Sequence, residues 1–225
     1  MTFSIAARCA ETGQLGITIS SSSIAVGARC PWLLAGVGAV SSQNITLPAL
    51  GPQTLVLLEQ QLSPAEALQQ VLGRDGFGEY RQIIAIDAQG RSAHVSGGQT
   101  LGIHRARSGE QCVAAGNMLA ATGVVDAIVD AFENTSGHLA ERLLQAMLAG
   151  LGCGGEAGPV HSAALKVVGE LPWPIVDLRV DWAEHDPLGE LQQLWQAYRP
   201  QMQDYIDRAL NPAVAPGYGV PGDAR

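Results

Sequence analysis

Lysine is almost missing from this chain. Of its 225 residues 13 are Lys or Arg, and Lys166 is the sole lysine. Charged residues make up 15 % and the formal net charge is −8, where an average soluble domain is roughly 25 % charged. These scarcities exclude a nucleic-acid backbone binder, because neutralising phosphates takes clustered cations. Cysteine is also sparse: Cys9, Cys30, Cys112 and Cys153 form no CxxC pair. That spacing argues against zinc or any other metal site and reads as free, buried thiols of a reducing, cytoplasmic compartment. No uncharged apolar run reaches the ~18 residues of a membrane span. The opening Met1-Thr2-Phe3-Ser4-Ile5 lacks the basic segment and apolar run of a secretory signal.

What is present is apolar and small. Hydrophobic residues are 47 % and glycines number 27, which excludes a disordered chain, a coiled coil and a collagen-like repeat. At this length roughly 70 % of the unfolded surface can be buried, so neither metal nor disulfide is needed.

Phe3 to Cys9 and Leu15 to Ser20 flank the turn signal Glu11-Thr12-Gly13-Gln14 and read as a hairpin. Gly36 to Gln43 is a third strand whose alternate glycines suggest close approach of another layer. The period then changes. Leu55, Leu58 and Leu62 have helical spacing within Gln53 to Leu62, and Ser63-Pro64-Ala65-Glu66 is a capping box opening a helix to about Leu72. Arg81 to Ala88 and Arg91 to Ser96 form a second hairpin about Asp87-Ala88-Gln89-Gly90. Short strands are expected at Leu101 to Arg105 and Gln111 to Ala115. Helices are expected at Val124 to Glu133 and, capped by Ser136, at Leu139 to Leu151. Strands at Ser162 to Gly169 and Val176 to Val180 precede a helix from Leu188 to Tyr198, capped by Asp186 and continuing to Leu210. Asp177, Arg179 and Asp181 alternate as a structural ion-pair network. Hairpins imply antiparallel sheets, and helix pairs between them imply cover on both sides. The expectation is an α+β fold with two antiparallel sheets between helical layers, one domain over 1–210 and a flexible Pro- and Gly-rich tail over 211–225.

Thr2 carries the first candidate chemistry. Removal of Met1 would leave one residue holding both a hydroxyl nucleophile and a base, with an amine pKa of about 8, suited to take the hydroxyl proton near neutrality.

The chain resembles bacterial domain-of-unknown-function family 1028, placed among the N-terminal-nucleophile (Ntn) hydrolase-like proteins. The matching stretches include Thr2-Phe3-Ser4-Ile5-Ala6-Ala7-Arg8, Gly16-Ile17-Thr18-Ile19, Ala25-Val26-Gly27 and Ala35-Gly36-Val37-Gly38-Ala39-Val40. Gly116-Asn117-Met118-Leu119, Leu139 to Leu144, Ser162-Ala163-Ala164-Leu165 and Val176 to Asp181 extend the match over about residues 2–199. The resemblance implies the four-layer αββα sandwich and Ntn-type catalysis. It departs from the family at Ser22-Ser23 and at Gly154-Gly155-Glu156-Ala157-Gly158-Pro159-Val160-His161, a loop read as a substrate wall. Some Ntn enzymes tune the nucleophile with a lysine on the second or third strand, and this chain has none there.

The expected function is hydrolysis of a C–N bond in a small amide or ureide, without organic cofactor or metal. Thr2 is the nucleophile and Ser21 an adjoining hydroxyl; Gln43 or Asn117 points an amide N–H at the oxyanion. Arg8, Ser22, Glu156 and His161 are the substrate-binding candidates. A small-molecule substrate and a homodimer or larger homo-oligomer are the expected partners, with neither nucleic acid nor membrane. Two alternatives are a non-catalytic binding or structural member of the fold, and a hydrolase using Ser21 or Ser22 with Met1 retained.

Overall fold

Period-two patterning at the N-terminus sets the layers. In the computed structural model, which describes residues 2–223, β1 (Thr2–Arg8) turns Phe3, Ile5 and Ala7 to one side and Thr2, Ser4 and Ala6 to the other. It pairs antiparallel with β2 (Leu15–Ser21) and with β8 (Cys112–Asn117), so Thr2 starts a strand flanked on both sides. β9 (Ser162–Val168), β10 (Pro174–Val180) and β7 (Arg105–Gly109) complete a six-stranded sheet of order β10-β9-β2-β1-β8-β7. The second sheet has the order β3-β4-β5-β6, formed by Pro31–Leu34, Gly38–Asn44, Arg81–Asp87 and Ser92–Ser96.

Helices pack on both sheets. Phe3 and Ile5 bury against α3 (Gly123–Asn134) and α4 (Leu139–Gly152), and β9 and β10 pack with α5 (Pro187–Tyr198) through Leu188, Leu191 and Trp195. Val40, Ile83 and Ala85 pack on α1 (Leu50–Glu59) and α2 (Pro64–Arg74). Between the sheets, Ala6, Ile17 and Val113 meet Ala39, Ile84 and Ile86. The chain is thus α+β, with two antiparallel sheets and helices. Close approach is real at Gly38, where a Cβ would stand 2.7 Å from the Leu58 side chain and 2.8 Å from the Ile86 carbonyl. Gly36 instead serves a turn at φ +70°.

Several expectations are corrected. The first long helix is Leu50–Glu59 rather than Gln53 to Leu62, because residues 60–62 turn back with Gln61 at φ 68°. β3 was not expected; it is a four-residue strand at a sheet edge. The stretch 101–104 is irregular, and the strand there begins at Arg105, whose neighbour Arg107 pairs with Asp130 on α3. The α4 cap is His138, whose ring accepts from Ala140 N–H, and not Ser136. Cys153 is exposed while the other three thiols are buried. Asp186 does cap α5, accepting from Gly189 N–H, and the capping box at Ser63 and Glu66 is formed. After α5, α6 (Met202–Leu210) follows a 3-10 turn at 199–201, and Arg208 donates to the carbonyls of Pro216 and Gly217. Residues 224 and 225 of the expected tail, and Met1, lie outside the described residues. No helix among the described residues is long and apolar enough to cross a membrane.

Candidate functional site

The N-terminal end of β1 collects the polar residues of the sheet interface. Thr2 is opposed by Asn117 on β8, and Phe3 by Ser20 on β2, which sets Ser21 beside Thr2. The Thr2 hydroxyl donates to Ser21 Oγ at 3.3 Å. Ser21 Oγ lies 2.9 Å from Ser23 Oγ and accepts from Ser23 N–H at 3.1 Å. Ser21 pairs with Ser162, whose hydroxyl donates to the Ser23 carbonyl at 2.6 Å. The serine run therefore coils back on the strand end and holds its hydroxyls in one cluster.

Glu156 reaches this cluster from the loop after α4. Gly154 and Gly155 take φ +112° and +58°, conformations that side-chain-bearing residues rarely adopt. The sharp return lets Glu156 bridge to Leu119. Its carboxylate accepts Ser22 N–H on both oxygens, at 3.2 and 3.3 Å. Burial pushes its pKa up to about 7, since desolvation disfavours the charged form. Glu156 also lines a cavity of about 330 Å³ together with Pro159, Glu184, His185 and Asp186.

Gln43 and Asn117 belong to a chain of amides between the sheets. Ser4 Oγ donates to Gln43 Oε1 at 2.7 Å, and Gln43 Nε2 donates to Gln82 Oε1 at 2.8 Å and to the Ala115 carbonyl at 3.3 Å. Asn117 Nδ2 donates to the same Gln82 oxygen at 3.0 Å. Both hydrogens of Gln43 Nε2 are thus engaged on protein acceptors, and one of the two on Asn117 Nδ2. Asn117 Oδ1 is buried and has no hydrogen-bond partner among the described residues.

Other candidates lie apart or at the margin. Arg8 is six residues from Thr2 on the same strand, about 20 Å away at the usual rise. There it donates to Gln111 Oε1 at 3.0 Å and lines a cavity of about 220 Å³ with Arg142, Glu110 and Glu133. His161 donates its main-chain N–H to the Ser21 carbonyl, while its ring stacks on Trp182 at 4.4 Å and has Nδ1 2.8 Å from the Ala183 carbonyl. Lys166 pairs with Asp177 at 3.1 Å and sits opposite Ile17, four residues from the Ser21 end of β2. The structure therefore assembles Thr2, Ser21, Ser22, Asn117 and Glu156, with Gln43 one amide behind, and leaves Arg8 out. Gln82 was missed: a polar residue within a strand gives no sign of facing a second sheet. No group of three His, Cys, Asp or Glu side chains among the described residues could hold a metal ion.

Comparison with known proteins adds the following. The model of a family of unknown function, DUF1028, matches residues 2–191. Protein SPO2555 from Silicibacter pomeroyi, a crystal structure carrying the same family assignment, is 30 % identical. The alignment covers 91 % of this chain and 89 % of that one, with a TM-score of 0.85. Anbu (ancestral beta-subunit) from Yersinia bercovieri is 12 % identical over 89 % of this chain and 96 % of its own, with a TM-score of 0.42. The Anbu (Gly-1) mutant from Hyphomicrobium sp. strain MC1 is 14 % identical over 89 % and 96 %, with a TM-score of 0.44. No curated protein matches the chain.

Proposed function

This chain belongs to the DUF1028 family, and we propose that it is an Ntn-type hydrolase on a four-layer αββα fold, cleaving the C–N bond of a small amide or ureide. The observation that carries the reading is the buried hydroxyl of Thr2, hydrogen-bonded to Ser21 at the very start of a strand flanked on both sides. A nucleophile held by a sheet loses little orientational freedom when it attacks.

In this scheme Met1 is removed, and the Thr2 amine takes the hydroxyl proton as Oγ1 bonds to the substrate carbonyl carbon. That proton passes to the departing nitrogen as the C–N bond breaks, leaving an ester on Thr2. Water then attacks the ester, the amine again carries the proton, and a carboxylic acid and free Thr2 result. Main-chain N–H groups and the second N–H of Asn117 stabilise the oxyanion, since Asn117 gives only one hydrogen to Gln82 whereas both hydrogens of Gln43 Nε2 are engaged. Glu156, titrating about 7, suits proton exchange with the leaving group. The cavity beside it, walled by Glu184 and Asp186, favours a substrate whose remote end is cationic rather than anionic.

Intact mass of the native protein is the first test, because a mass that retains Met1 removes the Thr2 amine. Turnover of an amide and ureide panel by Thr2→Ala and Thr2→Ser is the second: the serine variant retains activity and the alanine variant loses it. Full turnover by Thr2→Ala moves the nucleophile elsewhere, with Ser21→Ala as the next variant. A wild type that turns over nothing while binding a metabolite leaves a binding member of the fold.

A further inference from the structure

The geometry points to Asn117 as a positioning residue that holds the α-amine of Thr2 through its side-chain oxygen, with Gln82 and Gln43 locking the orientation of that oxygen from the opposite sheet. The inference rests on the reading that Thr2 carries a free amine.

The locking follows from which atoms can only accept. The carbonyls of Ala115 and Gly116 have no hydrogen to give. Gln43 Nε2 donates to the first at 3.3 Å, and Gln82 Nε2 donates to the second at 3.0 Å. Gln82 Nε2 also donates to Ser96 Oγ at 3.0 Å. Both glutamine amides are therefore fixed end for end, and Gln82 Oε1 becomes an acceptor for two donors, Gln43 Nε2 and Asn117 Nδ2. Turning the Asn117 amide over would set Asn117 Oδ1 against Gln82 Oε1, oxygen against oxygen. Asn117 must give its nitrogen to Gln82, so its oxygen is left over.

That oxygen is an acceptor without a donor, on a residue that is fully buried and directly opposite Thr2. A buried acceptor left unpaired is costly, and the interlocked amides of Gln82 and Gln43 maintain it. Directly opposed residues of an antiparallel pair have their Cβ atoms about 5 Å apart, so a donor on Thr2 lies within side-chain reach. The α-amine is such a donor in both protonation states, and it is the group whose lone pair must be aimed at the Thr2 hydroxyl. An acceptor that takes one of its hydrogens fixes the rotation of the amine about the N–Cα bond. The other charged or titratable neighbours of this end are Glu156, on Ser22, and His161, whose main chain binds Ser21.

The test is the titration of the amine itself, read from the Cα resonance of Thr2 in threonine-labelled, Met1-free protein. A hydrogen bond to the charged form favours that form, so Asn117→Ala lowers the amine pKa by about one unit, which matches a charge-assisted hydrogen bond. Asn117→Asp keeps an acceptor and leaves the pKa at or above the wild-type value. Gln82→Met, which does not alter Asn117 itself, frees the amide to rotate and lowers the pKa by less than Asn117→Ala does. Glu156→Gln measures the share due to that carboxylate. If Asn117→Ala does not fold, Gln82→Met and Asn117→Asp carry the comparison. Folded variants whose amine titrates as in the wild type overturn the positioning role and leave Thr2 standing as nucleophile. A native mass that retains Met1 overturns the nucleophile reading instead.

Discussion

The main-chain N–H of Ser22 is shared by the two carboxylate oxygens of Glu156, at 3.2 and 3.3 Å. Glu156 is 5 % exposed, and hydrogen bonding from Ser22 does not offset the loss of water around a charge. The consequence is a carboxyl that ionises about 7 rather than at its ordinary 4.5.

Glu156 therefore makes stability fall with rising pH. Between about 4.5 and 7 the folded protein keeps a proton that the unfolded chain has released, so each step upward favours unfolding. Above the folded pKa the accumulated penalty is at most about 3 kcal/mol. Glu156→Gln keeps an acceptor for Ser22 and removes the ionisation. Urea denaturation at pH 5 and pH 8 is expected to show a smaller loss for the variant, which overtakes the wild type at pH 8. Parallel pH profiles would contradict this origin of the shift.

Gly27 admits no side chain. A Cβ there would stand 2.5 Å from Ala164 Cβ on β9 and 3.1 Å from Arg179 Cδ. Ala164 is held in the middle of its ladder and cannot yield. Gly27→Ala is expected to cost about 1–3 kcal/mol, as overpacking does, seen as a lowered urea midpoint with an unchanged slope. Gly73→Ala, within α2 and with nothing within 4 Å of the added methyl, serves as the control and is expected to hold or raise stability by up to about 1 kcal/mol.

Trp195 joins α5 to α4. Its fully buried indole donates to Glu141 Oε2 at 2.9 Å and stacks on His138 at 5.1 Å. Trp195→Phe removes the donor and part of the volume together, an expected loss of about 2–4 kcal/mol. Glu141→Gln alone keeps an acceptor for the indole and should cost clearly less. Equal losses in denaturation would assign the whole effect to the carboxylate.

Thiol labelling should follow burial. Cys153 is exposed, whereas burial raises the pKa of Cys30 and pushes Cys112 up to about 12. A thiolate-selective reagent is expected to modify Cys153 first in native protein, with Cys112 reacting only on unfolding. Cys153→Ser should abolish the fast phase, and peptide mapping after brief labelling identifies the site directly.

The strands with clean alternation were legible from sequence, as were the capping box at Ser63 and the Asp186 cap, because those signals are local. β3 was not, since Pro31-Trp32-Leu33-Leu34 pairs with β4 alone and is too short to show a period. Arg105 and Arg107 hide β7, because their charges are answered by Asp126 and Asp130 on α3. The candidate site was half legible. Thr2, Ser21 and Asn117 could be named from their positions at strand ends, but the partner of Asn117 lies on another sheet. Gln82 faces that sheet only because β5 stacks over β8, a relation that no spacing along the chain encodes. Arg8 misled for a different reason: it shares a face with Thr2 but lies six residues away, at the far end of β1.

The interface between the sheets changes character along its length. Toward Arg8 it is built from Ala6, Ile17, Ile84 and Val113; toward Thr2 it is built from Ser4, Ser41, Gln43 and Gln82. Apolar contact is non-directional and tolerates sliding by fractions of a side chain. Interlocking amides do not, because donors meet acceptors at one offset alone. The polar end thus acts as a key in a slot, setting the sliding position of one sheet over the other, while the greasy end supplies adhesion without registration. A partly denatured state that keeps both sheets stuck together would be expected to lose the key first, and with it the alignment of Thr2.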